Sequence, residues 1–204
     1  MPKIMTITGP TCSGKTTLQT ELTFKKDDFA KVISTTTRGI RPGEVDGVDY
    51  RFTSKVVFER MIANGDLIEF TEVGGEYYGL PKAAIESLGE KTGVFVCDPN
   101  GVEAIRAFCD ATEGWKHFAV YVDNPLELLA KRFVDRVVAA KPSYLDSHKW
   151  GERMLGMIVE ANNWDVVTSY DYFFDGFDES ALRSGKAYSH MKQLADGVEP
   201  HKIV

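Results

Sequence analysis

Long hydrophobic runs are missing from this sequence. No apolar stretch approaches the roughly 20 residues that a helix needs to cross a bilayer, which argues against a spanning segment of that kind. The start of the chain also lacks the charged-then-apolar pattern of a secretory signal, so the expected location is cytoplasmic. Cysteine is scarce: Cys12, Cys97 and Cys109 are too few and too irregularly spaced for a disulfide framework or a zinc site, and read as buried free thiols. His117, His148, His190 and His201 show no ligand spacing and read as structural or surface side chains. Positive charge is in the minority, with 24 Lys and Arg against 30 Asp and Glu. That balance argues against a general nucleic-acid or membrane binder, but leaves room for a local basic pocket for phosphate. No internal repeat or low-complexity segment occurs. What is present suffices for a core: 43% of 204 residues are apolar, which suits one domain carrying inserted subdomains.

The opening stretch "KIMTITGPTCSGKTTLQTEL" has Gly9, then Pro10, Thr11, Cys12 and Ser13, then Gly14-Lys15-Thr16 and Thr17, the spacing G-x-x-x-x-G-K-[ST]. Residues 4–7 before it read as a buried strand, and Leu18 and Leu22 after it stand at helical spacing. A strand that stops at such a loop and restarts as a helix aims successive backbone N–H groups, and the positive end of the helix dipole, at one point where phosphate oxygens sit. Residues 9–17 therefore read as the ATP cradle, with Lys15 reaching the β and γ phosphates and the Thr16 hydroxyl holding Mg²⁺. Cys12 stands where loops of this type usually have glycine, and its Cβ predicts strain in the turn.

Further along, Lys31-Val32-Ile33 and Tyr50-Arg51-Phe52 read as short strands, and Ser54 caps a helix through Asn64. Residues 67–73 alternate apolar with polar as a half-buried strand, and Pro81 begins a helix through Leu88. Residues 93–97 and 117–122 are near-continuous apolar strands, each followed by a helix, the second opened by Pro125. Strands alternating with helices predict a parallel sheet covered on both faces. In "GGEYYGLPKAA", Tyr77 and Tyr78 point to opposite faces of a strand, so one packs and the other is presented.

The segment "STTTRGIRPGEVDGVDY" supplies Ser34, Arg38, Arg41 and Tyr50 in a loop too glycine-rich for a helix. Two arginines and a phenol can clamp a second phosphate by charge-assisted hydrogen bonds; a solvated basic turn is the plainer alternative. This segment reads S-x-T-T-R-x-x-R-x-G-E-x-x-G-x-x-Y. It is followed by a strand holding Glu69 and by E-x-x-G-x-Y-Y-G from Glu72 to Gly79. In this order and at these distances behind a phosphate loop, the motifs resemble those of guanylate kinases. The resemblance runs from about residue 3 to 106, and more weakly to about 174.

The resemblance implies that Arg38, Arg41, Tyr50 and Tyr78 bind the acceptor monophosphate and that Ser34 lies near the base. It implies too that Glu69 accepts from guanine N1–H and the 2-amino group, which suits an ionised carboxylate, an acceptor-only group. "VCDPNG" stands where the family has an acidic D-x-D-x-x-G-like turn, and Asp98 there supplies one carboxylate near Mg²⁺ or the base. In "KRFVDR", Arg132 and Arg136 lie four residues apart on one helix face and resemble arginines near the family's lid. Arg153 in "ERM" resembles a second lid-side arginine, behind a segment longer than the usual lid. With Lys15 and Arg38, these arginines form the expected catalytic set, neutralising charge on the transferring phosphoryl group.

The implied fold is α/β: a three-layer α/β/α phosphate-loop core with a parallel sheet, an inserted mixed β/α subdomain for the monophosphate, and a helical lid. The expected bounds are about 1–32, 89–132 and 160–190 for the core, 33–88 for the subdomain and 133–159 for the lid, with a polar, loosely held tail over 190–204. The implied activity is Mg²⁺-assisted transfer from ATP to GMP or dGMP by a monomer or homodimer, without nucleic acid or membrane as partner. Two rivals stand beside it. One is a non-catalytic guanylate-kinase-like interaction module, against which the intact Gly14-Lys15-Thr16 argues. The other is a kinase of shifted purine preference, since Leu80 stands where the family has a hydroxyl residue that reads the base. Such a kinase would discriminate weakly at the purine 6 position, with 2,6-diaminopurine deoxynucleotide as the alternative acceptor.

Overall fold

Ile4, Met5 and Ile7 are fully buried in β1 (Lys3–Thr8), the middle strand of a five-stranded sheet whose hydrogen-bonded pairs are all parallel. The computed structural model describes residues 1–24, 27–41, 43–140, 147–176 and 186–197. The sheet runs in the order β2 (Phe29–Lys31), β7 (Thr92–Val96), β1, β8 (Lys116–Asp123), β9 (Tyr172–Asp175). Alternate residues of β1 face opposite layers, as strand geometry requires. Met5 and Ile7 join Leu18 and Leu22 of α1 (Lys15–Thr23) and Met191 of α7 (Lys186–Ala195), whereas Ile4 joins Ile105 and Cys109 of α4 (Pro99–Ala111). Helices thus cover both faces, and the predicted three-layer core is what the chain forms.

A second sheet, mixed, has the order β4 (Arg51–Phe52), β3 (Thr35–Thr36), β6 (Glu76–Pro81), β5 (Leu67–Val73). Helix α2 (Lys55–Ala63) packs against it, its N-terminus closed by Ser54 Oγ accepting from the Val57 N–H at 3.3 Å. Tyr77 stacks on Phe58 of α2, the rings 5.3 Å apart and 14° from parallel, while Tyr78 meets Tyr50 edge-on at 6.0 Å on the other face. The paired phenols of β6 therefore divide as the strand period predicts. The short α3 (Lys82–Glu86) follows at once. Helices α5 (Leu126–Ala140) and α6 (Ser147–Val167) pack together through Leu129, Phe133 and Met157. They span the expected lid region, in which residues 141–146 lie outside the described residues.

Several expectations need correction. The expected tail from residue 190 is helix through Ala195: Ala187, Met191, Leu194 and Ala195 recur on one helical face and are buried against the parallel sheet and α1. Lys192 Nζ adds a 2.5 Å bond to Asp28 Oδ1. His201 and the rest of that tail lie outside the described residues. The strand expected at Lys31-Val32-Ile33 ends at Lys31, although Val32 N–H still donates to Val94 O at 3.0 Å. Pro81 ends β6 and is the N-cap of α3, so the expected helix is present but starts at Lys82 and stops at Glu86, short of Leu88. Of the three thiols Cys109 alone is buried, the other two being half-buried.

Candidate active site

Between β1 and α1 the loop turns tightly. Gly9 cannot carry a side chain, because a Cβ there would lie 2.7 Å from Val122 O. Cys12 adopts φ +69°, the left-handed conformation that its Cβ disfavours by about 1 kcal/mol, as the sequence predicted. The first N–H groups of α1 have no intrahelical acceptor and face a cavity of about 910 Å³ lined by Thr11, Gly14, Lys15 and Thr16. Lys15 Nζ donates to Gly9 O at 2.6 Å and to Pro10 O at 2.7 Å. Burial pushes its ammonium down to about 8, against the opposing pull of Glu160 and Cys12.

Arg132 of α5 reaches this loop. Its guanidinium donates to Ser13 O at 3.3 Å, to Asn124 Oδ1 at 3.2 Å and to Gly176 O at 3.2 Å. Asn124 Nδ2 in turn holds Ser13 O at 3.0 Å. Arg136, one turn further and exposed, lines the same cavity. Arg153 does not: its guanidinium lies over the Trp150 ring, 5.2 Å from the centroid, on α6. The expected set of lid arginines is thus two residues at the loop and one stacked elsewhere, a cation–π contact being open to any arginine one turn from tryptophan.

On the mixed sheet, Arg38 is held in a two-pronged pair by Glu44, at 3.0 and 2.7 Å, and lies 5.4 Å from the centre of the Tyr50 ring. Glu44 also accepts from the Arg41 N–H at 2.8 Å. The pair raises the guanidinium pKa and lowers that of Glu44. Burial raises that of the Tyr50 phenol. Arg38, Tyr50 and Tyr78 are therefore brought together, with Arg41 exposed at the rim of the loop. Ser34 precedes β3, and its carbonyl accepts from the Arg51 N–H at 2.8 Å.

Glu69 on β5 is half-buried, and among the described residues no donor or cation pairs with it. Burial, and then the neighbouring Asp98 carboxylate, raise its carboxyl to about 7. Asp98 caps α4, its Oδ1 accepting from the Gly101 N–H at 2.8 Å, so it faces Glu69 with one oxygen already engaged. Leu80 is the residue placed differently from expectation. It pairs with Glu69 across the strands but is wholly buried among Ile4, Val32 and Ile85, and so presents no surface to a ligand. An aliphatic side chain there gains about 1.5–3 kcal/mol from the core instead.

Sequence reasoning passed over Glu44, Asn124 and Glu160. Glu44 stood inside the quoted motif, where its charge next to two arginines was the available signal. Asn124 and Glu160 meet the loop across 111 and 149 residues, a separation at which the sequence carries no local pattern. Among the described residues no group of three His, Cys, Asp or Glu could hold a metal ion by itself.

The sequence model of the guanylate kinase family matches residues 1–137. A guanylate kinase of Clostridium perfringens (strain 13 / Type A) is 32% identical over 159 residues, 78% of this chain and 73% of its own. The guanylate kinase of Clostridioides difficile (strain 630) is also 32% identical, over 185 residues, 90% of this chain and 83% of its own. The crystal structure of guanylate kinase from Anaplasma phagocytophilum matches with a TM-score of 0.61 over 98% of this chain and 87% of its own; at 22% identity it speaks for the fold. With more than half of its length under the family's model and relatives of this similarity, the chain belongs to the guanylate kinase family, nucleoside monophosphate kinases of the phosphotransferase class.

Proposed function

We propose that the chain transfers the γ-phosphate of ATP to GMP or dGMP. The observation that carries this reading is Glu69, a half-buried carboxylate that no donor or cation pairs with among the described residues, on the sheet that also holds the Arg38–Tyr50–Tyr78 cluster. A buried carboxylate is costly unless something compensates it, and the paired N1–H and 2-amino donors of guanine do so. The acceptor phosphate is taken by Arg38, released from Glu44, with Arg41, Tyr50 and Tyr78 beside it. Ser34 and Asp98 flank the base. On the donor side Lys15 and the loop N–H groups hold the β and γ phosphates, and Arg132 and Arg136 balance the charge spread over the transferring group.

Magnesium fits this donor set: the ion takes one or two protein oxygens plus phosphate oxygens and water, and the Thr16 hydroxyl stands at the head of α1 in the cavity. When bound, it would supply charge neutralisation across the donor phosphates. ATP consumption should depend on GMP or dGMP and stay at background with AMP. Folded protein that forms no ADP in the presence of GMP would sink the reading and favour an interaction module.

A second reading, reduced discrimination at the purine 6 position, is favoured by Glu69. With its carboxyl raised to about 7, Glu69 has a proton to offer the N1 acceptor of 2,6-diaminopurine. The ratio of kcat/KM for dGMP to that for the diaminopurine deoxynucleotide should then rise between pH 6 and 8, and a flat ratio removes this alternative.

A further inference from the structure

Helix α6 lies on the phosphate loop through one face. Glu160 and Ala161 lie three and four residues after Met157, so each neighbours its side chain. Met157 and Ala161 belong to the apolar cluster that also takes the side chain of Cys12. Glu160 Oε2 accepts from the backbone N–H of Thr11, the residue before Cys12 in the loop, at 2.6 Å. Cys12, the non-glycine residue in the turn, thus gives α6 an apolar foothold, and Glu160 places a carboxylate on a donor of the phosphate nest.

One N–H supports one short hydrogen bond, so a carboxylate oxygen and a phosphate oxygen cannot both take it. Two anions in a partly desolvated loop also repel. Two cations beside the loop are held by its carbonyls: Lys15 donates to Gly9 O and Pro10 O, and Arg132 to the carbonyls of Ser13 and Gly176. Glu160 lies close enough to Lys15 to act on its charge.

We propose that Glu160 is an internal competitor for the donor site, whose carboxylate must leave the Thr11 N–H when the donor's phosphates bind. The residue thereby sets donor affinity, and its displacement shifts the face by which α6, the helix of Arg153, rests on the loop. The proposal rests on the reading of this loop as the ATP site.

Calorimetric titration with ATP, in EDTA and again with Mg²⁺, tests it on the wild-type protein, Glu160→Gln and Glu160→Ala. The glutamine variant keeps an acceptor for the Thr11 N–H and so preserves the loop contact without the charge. Removing a charge-assisted bond and its repulsion should tighten ATP binding about threefold or more in the glutamine variant and about tenfold in the alanine variant, with or without Mg²⁺, and leave GMP affinity within twofold. Unchanged or weaker ATP binding by both variants, at wild-type circular dichroism, overturns the proposal. So does a loss confined to the Mg²⁺ series, which would make Glu160 a holder of the metal. A wild-type protein that binds no ATP refutes the donor-site reading itself, whereas wild-type binding that the variants do not tighten refutes this inference alone.

Discussion

Replacing Glu69 by Gln should make the protein more stable and less active, and the stability gain should depend on pH. The carboxyl rises from an ordinary 4.5 to about 7 because burial and Asp98 disfavour its charge. A carboxyl raised in the folded state binds its proton more tightly there, so its favourable contribution is present below about pH 4.5 and is lost as pH rises through about 7. At roughly 1.4 kcal/mol per unit of pKa, the ionised form costs at most about 3 kcal/mol, and about 2 kcal/mol with the solvent that still reaches a half-buried group. A neutral amide avoids that cost. Thermal unfolding at pH 8 should place Glu69→Gln about 4–8 °C above the wild type, and at pH 5 the gap should shrink to a small fraction of that. The same variant presents an N–H where guanine brings donors, so kcat/KM for GMP should fall ten- to a hundredfold. A variant less stable than the wild type at pH 8, or a Tm gap equal at the two pH values, would refute the claim that Glu69 is held at an energetic cost for the base.

Arg38→Ala removes a guanidinium poised for two charge-assisted bonds, so kcat/KM for GMP should drop about a hundredfold while the Kd for ATP stays put; equal losses on both substrates would contradict its assignment to the acceptor. Lys15, pushed down to about 8, is largely deprotonated at pH 8.5, and donor phosphates should restore its charge. Calorimetry in buffers of different ionisation enthalpy should register uptake of most of a proton per ATP at pH 8.5 and essentially none at pH 6.5. Gly9→Ala sets a Cβ 2.7 Å from the backbone oxygen of Val122, which cannot move aside as a flexible side chain would, and should lower stability by about 2 kcal/mol in a denaturation melt.

What could be read from the sequence was local or motif-bound. The phosphate loop was legible because a buried strand, a fixed glycine spacing and a helical pair of leucines occur within twenty residues. The opposite placement of Tyr77 and Tyr78 followed from the two-residue strand period. Helix α7 was missed for a different reason: its polar residues dominate the composition, while the period of Ala187, Met191 and Leu194, which carries the helix signal, is sparse. The burial of Leu80 was also out of reach. It lies on the same face of β6 as Tyr78, but a register shift between Leu67 and Glu69 and the apolar layer from Ile4 and Ile85 decide what covers it. Glu160 reaches Thr11 through the packing of α6 on the loop, which no spacing within either segment announces.

Phosphoryl transfer to a guanine monophosphate is open to a single competition experiment. The protein is incubated with ATP, Mg²⁺ and equal amounts of dGMP and dAMP, so that either product is distinguishable from the ADP left by the donor, and the diphosphates are separated by chromatography. dGDP should form, with dADP at background. Predominant dADP, or neither diphosphate from folded protein that binds ATP, would contradict transfer to a guanine monophosphate.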